Sequence, residues 1–264
     1  MPKWNILCIL LLIVISLNAD IISNLELKYT FDGNANDSSG KNRNGTVVNA
    51  VLTTDRFGNA SQAYRFNGNA YINTNTDLSW GYSSSFSMSM WFKTDNFYAD
   101  QVLLSKTNYE YSLKIGGLWT NDNFLNFEYW NTGGGGGIGL FYSQNQLQNN
   151  TWYHTAVTYD AATHISILYI NGQEIQRSTA ANTTFRDLAE TMLLGYGYHW
   201  QGENRYFTGS MDDVMVYSRN LSVGDVQQLA AIPEISNIVI FSLGLFLISF
   251  YILSHLRVKS RVKM

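Results

Sequence analysis

Ile165-Ser166-Ile167-Leu168-Tyr169-Ile170 is followed directly by Asn171-Gly172. The first six residues are mostly β-branched, aliphatic or aromatic, which favours a strand. Asn-Gly suits a type I′ turn, because both turn positions require a positive φ. Gln173 to Gln176 can then return as the partner strand. This segment predicts a β-hairpin and is the strongest local signal in the chain.

Alternation of apolar and polar residues extends the β pattern over residues 25–217, where no sustained helical period appears. Four segments alternate clearly: Leu25–Phe31, Phe86–Phe92, Tyr109–Ile115 and Phe124–Trp130. Short strands separated by turns rich in Asn, Gly and Ser predict an all-β sandwich or barrel.

The glycine run Gly133–Gly137 shares its glycine content with phosphate-binding loops. It lacks the Gly-Lys-Ser/Thr ending, and no helical pattern follows it. We therefore interpret it as a hairpin tip between strands that end near Trp130 and begin near Ile138.

A short helix is expected near the end of the domain. Ser222 followed by Asp225 resembles a capping box, in which Asp replaces the commoner Glu or Gln. The next apolar residues follow helical spacing: Val223, Val226, Leu229 and Ala230.

Both ends of the chain carry apolar runs. Lys3 precedes the run Trp4–Leu17, and small residues follow at a plausible cleavage point, which predicts a signal peptide over residues 1–19; an uncleaved N-terminal anchor is the alternative. Residues 238–256 contain no charge and are long enough to cross a bilayer as a helix. Four cations lie in residues 257–264, so we expect a cytoplasmic tail and a domain that faces outward.

The segment between the domain and this run begins with Pro233-Glu234-Ile235. Together with the apolar run and basic tail, it resembles the PEP-CTERM sorting signal of Gram-negative bacteria. That resemblance implies cleavage near the Pro-Glu pair and delivery to the cell surface. The family has a second proline where this chain has Ile235, so a permanent single-span anchor is the alternative. The predicted organisation is therefore a sandwich over residues 20–231 and a linker over 232–237.

The composition excludes some kinds of site and partner for the domain. The one cysteine, Cys8, lies in the predicted signal peptide, so the domain has no internal disulfide or thiolate metal site. Residues 20–231 hold 19 acidic and 12 basic residues, which gives a formal charge of −7. This acidity, with no basic cluster, argues against nucleic acid.

Three segments resemble the bacterial LamG-like jellyroll domains, relatives of the laminin G and concanavalin A-like lectin sandwiches. They are 27–45, with Leu27–Asn34, Asp37–Gly40 and Asn44-Gly45; 152–172, with Trp152–Asp160 and Leu168–Gly172; and 207–222, with Phe207–Val214 and Tyr217–Ser222. The resemblance covers about residues 25–230. It implies two antiparallel sheets of six or seven strands, packed face to face, with the first and last strands paired. The fold hosts lectins, adhesion modules, spacers and some glycosidases.

We expect no catalysis. Glycoside hydrolysis needs two carboxylates across one bond, and no glutamate begins the Glu-x-Asp-x-x-Glu pattern of the related glucanases. Asp212 and Asp213 are adjacent, so on a regular strand their side chains point to opposite faces. His154, His164 and His199 lack the spacing of a zinc site.

Two kinds of binding site are predicted. Oxygen donors in one loop, together with an aspartate expected on the paired strand, favour a structural calcium ion: Asp32, Asn34, Asn36, Asp37 and Asp212. The alternative is that these side chains hold turns by bonding their own backbone. Aromatic and amide residues near turns favour a surface that binds carbohydrate or exopolysaccharide: Trp119, Tyr129, Trp130, Tyr196, Tyr198, Trp200, Asn121 and Asn131.

The sequence leaves two functions open. The domain is predicted to be a non-catalytic module outside the cell that binds carbohydrate or mediates adhesion. The alternative is a scaffold that binds a cell-envelope protein and has no sugar site, because both functions need an exposed loop surface on a rigid sandwich.

Overall fold

Short strands joined by turns make up most of the described chain. The computed structural model describes residues 21–97, 99–106, 110–116, 124–133, 136–143, 147–180, 184–198 and 204–231. The chain separates into two units, Met1–Ala230 and Ala231–Met264. The described residues lie in the first unit, apart from Ala231.

The described residues form 17 strands and the helix α1 (Val223–Ala231). In chain order the strands are β1 (Leu25–Tyr29), β2 (Thr46–Val48), β3 (Val51–Thr53), β4 (Ala63–Asn67), β5 (Tyr71–Asn73), β6 (Phe86–Thr94), β7 (Gln101–Lys106), β8 (Tyr111–Ile115), β9 (Phe124–Trp130), β10 (Gly136–Ser143), β11 (Tyr153–Asp160), β12 (Ile165–Ile170), β13 (Gln173–Thr179), β14 (Met192–Leu194), β15 (Tyr196–Tyr198), β16 (Asn204–Tyr206) and β17 (Thr208–Tyr217).

Two large antiparallel sheets hold 15 of these strands. The first has the order β13-β12-β11-β6-β17-β4-β3, with β1 also paired to β17, and the second has the order β10-β9-β8-β7-β14-β5-β2. Strands β15 and β16 form a separate two-stranded ribbon. An all-β, two-sheet antiparallel sandwich was expected from the alternation and is confirmed.

The first sheet has eight strands, one more than expected, because β17 has two partners along one edge. Residues 208–211 of β17 pair with β4, whereas residues 214–217 pair with β1. The expected pairing of the first and last strands is therefore confirmed. Asp212 and Asp213 lie between the two paired segments.

The core lies between the two sheets and is rich in aromatic rings. On β6, Phe86, Met88, Met90 and Phe92 all point into it, as the alternation predicts. Between them, Ser87 and Ser89 face the opposite side of the sheet yet are also buried. That outer face is therefore covered at these two positions.

The hairpin and the helix predicted from local sequence patterns are both confirmed. Asn171 and Gly172 both have a positive φ in the β12–β13 turn, as the type I′ turn requires. The Ser222 hydroxyl accepts the Asp225 amide and the Asp225 carboxylate accepts the Ser222 amide, at 3.1 and 2.9 Å. This is the predicted capping box. The helix packs on the hairpin turn, since a Cβ on Gly172 would lie 3.2 Å from the Gln227 Cα.

The membrane segments fall outside the described residues. Within the part that the structure describes, no helix is long and apolar enough to cross a bilayer. The predicted signal peptide over 1–19 and the predicted span over 238–256 both remain predictions.

Candidate functional site

Alternation along β9 divides its side chains between the core and the outer face of the seven-stranded sheet. Leu125, Phe127 and Tyr129 lie in the core, so the residues between them face outward. Tyr129 was expected on a sugar-binding surface, and that expectation is wrong. Its side chain is fully buried, and its hydroxyl donates to the Trp80 carbonyl at 2.9 Å. The next residue, Trp130, is partly exposed.

Backbone contacts with neighbouring segments fix Trp130 and Asn131 at the end of β9. The Trp130 amide donates to the Glu110 carbonyl at 2.8 Å, and its carbonyl accepts the Arg186 amide at 2.8 Å. Asn131 forms a bridge with Phe185 and accepts the Gly133 amide through its side chain. Two of the predicted ligand-binding residues therefore lie side by side at a fixed strand end.

The β15–β16 ribbon packs over the same outer face. A Cβ on Gly197 would lie 2.8 Å from a methyl group of Val102 on β7, so the ribbon and strand are in close contact. The Ser105 hydroxyl donates to the Tyr196 carbonyl at 2.8 Å. The predicted residue Tyr196 therefore lies above β7, and its ring is partly exposed.

Tyr196 belongs to a cluster of three partly exposed tyrosines. Its ring centroid lies 4.8 Å from that of Tyr206 and 5.8 Å from that of Tyr71. Its hydroxyl donates to the Asn204 side chain at 2.7 Å. Aromatic rings held in this way present apolar faces and polar tips together, which suits amphipathic ligands such as sugars.

Polar side chains lie between the tyrosine cluster and Trp130. Register places Ser105 of β7 opposite Ser112 of β8, and Ser112 opposite Glu128 of β9. Lys114, two residues after Ser112 and on the same face, forms an ion pair with Glu128 at 2.6 Å. The four residues Ser105, Ser112, Lys114 and Glu128 are called the polar strip below. Residues of β5, β7, β8 and β9 thus contribute to one face of the seven-stranded sheet.

The structure does not describe every predicted ligand-binding residue. Trp119, Asn121 and Trp200 lie outside the described residues, and so does the side chain of Tyr198, whose backbone belongs to β15. Of the eight residues, Trp130 and Asn131 lie at the end of β9, and Tyr196 lies on the ribbon that packs over β7.

Sequence reasoning missed Tyr71, Tyr206, Lys114 and Glu128. Alternation would have placed Lys114 and Glu128 on the outward face of β8 and β9. No local pattern links Tyr71 with Tyr206, because each contacts Tyr196, and the contact of Tyr71 with Tyr196 depends on the packing of the β15–β16 ribbon over the sheet.

The predicted calcium loop is held by its own hydrogen bonds. One Asp37 carboxylate oxygen accepts the amides of Lys28 and Ser39, and the other accepts the Arg43 amide and the Ser39 hydroxyl, at 2.8–3.0 Å. Burial alone would raise the pKa of Asp37, but the amides of Arg43, Ser39 and Lys28 outweigh it and hold that pKa below its usual value. Asn34 likewise accepts the Asn36 amide at 2.8 Å. These bonds match the turn-holding alternative.

Asp212, the fifth predicted calcium ligand, has a different partner. Its carboxylate lies 2.5 Å from the Arg56 guanidinium and is almost fully buried. Asp32, by contrast, is exposed. Within the described residues, no group of three or more Asp, Glu, His or Cys side chains is arranged to hold a metal ion. The residues as arranged do not supply the six to eight oxygen ligands that calcium takes, and the structure itself does not test whether the ion binds.

Asp212 and Asp213 do not point to opposite faces as expected. The register of β17 against β6 shifts between Asp212 and Met215, and Asp213 has φ 45°. This bulge inserts one residue, so both carboxylates reach Arg56, at 2.5 and 2.7 Å. The guanidinium also lies over the ring of Trp91, 4.7 Å from its centroid.

His154 lies next to this cluster on β11. Its Nε2 is 2.8 Å from the Ser89 hydroxyl, and its ring meets Trp91 edge to face. Burial first, and the Arg56 charge second, lower the pKa of His154 to about 3. The imidazole is therefore neutral at physiological pH.

Comparisons with solved structures agree on the fold. The binding domain of Paraclostridial Mosquitocidal Protein 1 is 20% identical, with a TM-score of 0.63 over 80% of this chain and 52% of that one. The ligand-binding domain of botulinum neurotoxin serotype D in complex with N-acetylneuraminic acid is 18% identical, with a TM-score of 0.59 over 81% and 52%. The chain thus spans about half the length of these toxin domains.

A third structure matches over nearly its whole length. Domain 4 of AbnA, a GH43 extracellular arabinanase from Geobacillus stearothermophilus, in complex with arabinotriose, is 20% identical. The TM-score is 0.61 over 78% of this chain and 98% of that one. Comparison with curated proteins gave no match.

A Laminin G family model, described as concanavalin A-like lectin/glucanases superfamily, matches residues 66–227, more than half of the chain. This agrees with the two-sheet sandwich and with the segments at 152–172 and 207–222. The chain belongs to the concanavalin A-like lectin/glucanases superfamily.

Proposed function

We propose that this domain is a non-catalytic carbohydrate-binding module whose ligand lies against the outer face of the seven-stranded sheet. The observation that carries the proposal is the arrangement on that face. Trp130 lies at one end of the polar strip, and the cluster of Tyr71, Tyr196 and Tyr206 lies across the sheet from it. Sugars need flat apolar surfaces for their C–H faces and polar groups for their hydroxyls, and this face offers both.

The solved structures support the same ligand class. Domain 4 of AbnA was solved with arabinotriose, and the similarity covers 98% of that chain. The toxin domain solved with N-acetylneuraminic acid is matched over only 52% of its length. Its sugar therefore supports the proposed ligand class less strongly.

The absence of catalysis is supported by how the carboxylates are used. Asp212 and Asp213 share the Arg56 guanidinium, and Glu110 is fully buried against Lys106 at 2.9 Å. A glycosidase needs one carboxylic acid and one carboxylate that are free to reach the same bond. His154, neutral and buried, is not placed to act as an acid.

We further propose that the module acts outside the cell. This rests on the export signal predicted over residues 1–19 and on the charge-free run at 238–256 with its basic tail. Display on the surface or tethering to the membrane both place the sandwich where polysaccharides occur.

Affinity electrophoresis through gels that contain soluble polysaccharides tests the proposal. Trp130→Ala and Tyr206→Ala should each abolish or strongly weaken the retardation of the wild-type domain. The matched control is Trp152→Ala, because Trp152 is also partly exposed but contacts Lys93 of the eight-stranded sheet. Equal loss with the control variant, or none with Trp130→Ala, would place the site elsewhere.

The competing scaffold function has its own outcome. Envelope proteins that remain bound after polysaccharide digestion, with no retardation in any gel, would favour a protein partner instead.

A further inference from the structure

The polar strip carries a charge pair that is nearly closed to solvent. Lys114 Nζ lies 2.6 Å from Glu128 Oε2, and their side chains are 9% and 13% exposed. A pair at this depth is screened much less by salt than an exposed one. Its two charges cancel, so the strip offers a strong donor and a strong acceptor without net charge.

Asn126 adds an acceptor that has no hydrogen-bond partner among the described residues. It is directly opposite Lys114 in the β8–β9 register, and both face away from the core because Leu125 and Phe127 point into it. Its side-chain nitrogen donates to the Gly116 carbonyl at 2.8 Å, which identifies the other atom as the oxygen. That Oδ1 is buried and accepts no hydrogen bond from the part of the chain that the structure describes.

An unsatisfied buried carbonyl oxygen destabilises the fold, so such an atom is normally found where a ligand or water donates a hydrogen bond to it. Cross-strand neighbours have Cβ atoms about 5 Å apart, which places Asn126 beside the Lys114 stem. One acceptor, Asn126, thus lies beside the Lys114 stem, and a second, Glu128, pairs with the Lys114 ammonium.

We infer that this set selects uncharged sugars, an inference that rests on the proposed function. A sugar hydroxyl both donates and accepts, so neighbouring hydroxyls can donate to Asn126 and Glu128 while one accepts from Lys114. A sugar carboxylate or sulfate only accepts. It would be repelled by Glu128 and would have to displace it from Lys114.

Isothermal titration with two probes tests this: neutral arabinan and anionic polygalacturonate, each at 50 and 500 mM NaCl. We expect the wild-type domain to bind arabinan with less than a twofold change between the salt concentrations, and polygalacturonate at least tenfold more weakly. Preferential, salt-sensitive binding of polygalacturonate overturns the inference and leaves the proposed function standing. Binding of neither probe, nor of any other neutral glucan or xylan, overturns both.

Glu128→Gln gives the second arm, because it leaves the Lys114 ammonium without its carboxylate. Affinity for the neutral ligand should fall about tenfold or more, the loss typical of a hydrogen bond to a charged group. Binding of polygalacturonate should rise and become salt-sensitive. Glu174→Gln is the control, since Glu174 pairs with Arg177 on the other sheet at 2.6 Å. Identical behaviour of the two variants would contradict the assignment.

Discussion

The Arg56 guanidinium lies 2.7 Å from an Asp213 carboxylate oxygen, although the two residues are 157 positions apart in the chain. Arg56 belongs to the turn between β3 and β4, and Asp213 is the inserted residue of the bulge in β17. The contact therefore fixes a surface loop to the place where β17 changes partner from β4 to β1. Arg56 and Asp212 are almost fully buried, so neither charge is exposed to solvent to compensate for the loss of the other.

Replacing Arg56 by Met should destabilise the domain strongly. It would leave the Asp212 carboxylate buried without its cation, and removal of one partner from a buried pair costs about 3–5 kcal/mol. Urea unfolding followed by tryptophan fluorescence measures the change. Arg56→Lys keeps the charge but loses the contact with both carboxylates. Its free energy of unfolding should lie between those of Arg56→Met and the wild type. A loss below about 1 kcal/mol for Arg56→Met would contradict the assignment.

Breaking the capping box of α1 should reduce the stability of the domain by a smaller amount. Ser222→Ala removes the hydroxyl that accepts the Asp225 amide, and such caps contribute about 0.5–2 kcal/mol. Thermal melts should show a lower Tm for Ser222→Ala and a nearly wild-type Tm for Ser222→Thr, which keeps the acceptor. Equal loss in both variants would mean that the position matters for packing and not for capping.

The lowered pKa of Asp37 predicts that the stability of the domain depends on pH. Its pKa in the folded protein lies below the usual value of about 3.9, so its contribution to stability is full above that pH and is lost as the pH falls through the lowered pKa. Asp37→Asn should cost about 1–3 kcal/mol at pH 7, because an amide nitrogen would face backbone donors. The gap between variant and wild type should narrow in acid. A gap that is constant from pH 7 to pH 2 would rule out this role for the carboxylate.

The same loop gives a test for calcium. Since Asp37 and Asp212 are occupied by protein donors, we expect the wild-type Tm to be unchanged by EDTA and by millimolar CaCl₂. A Tm that falls with EDTA and recovers with CaCl₂ would show that the loop rearranges around an ion.

Much of the fold was predictable because its signals are local. The Asn171-Gly172 turn, the Ser222–Asp225 cap and the alternation along β6 each depend on a few neighbouring residues. The bulge at Asp213 was not predictable, because alternation assumes a regular strand and the cation that holds both carboxylates comes from a distant loop.

The candidate site was predictable only in part, for a related reason. Strict alternation separates Tyr129 in the core from Trp130 on the surface, but both were assigned to the surface because they lie near a glycine-rich turn. The tyrosine cluster depends on how the β15–β16 ribbon folds back over β7, which no short stretch of sequence encodes.

The central claim is that carbohydrate lies against the outer face of the seven-stranded sheet. The most direct test is a titration of the isotope-labelled domain with neutral oligosaccharides, arabinotriose among them, in which backbone amide shifts are followed by NMR. Shift changes confined to residues around Trp130, the polar strip and the Tyr71–Tyr196–Tyr206 cluster, with Trp152 and its neighbours unmoved, are the result we predict. Changes centred on the eight-stranded sheet, or none with any oligosaccharide, would contradict it.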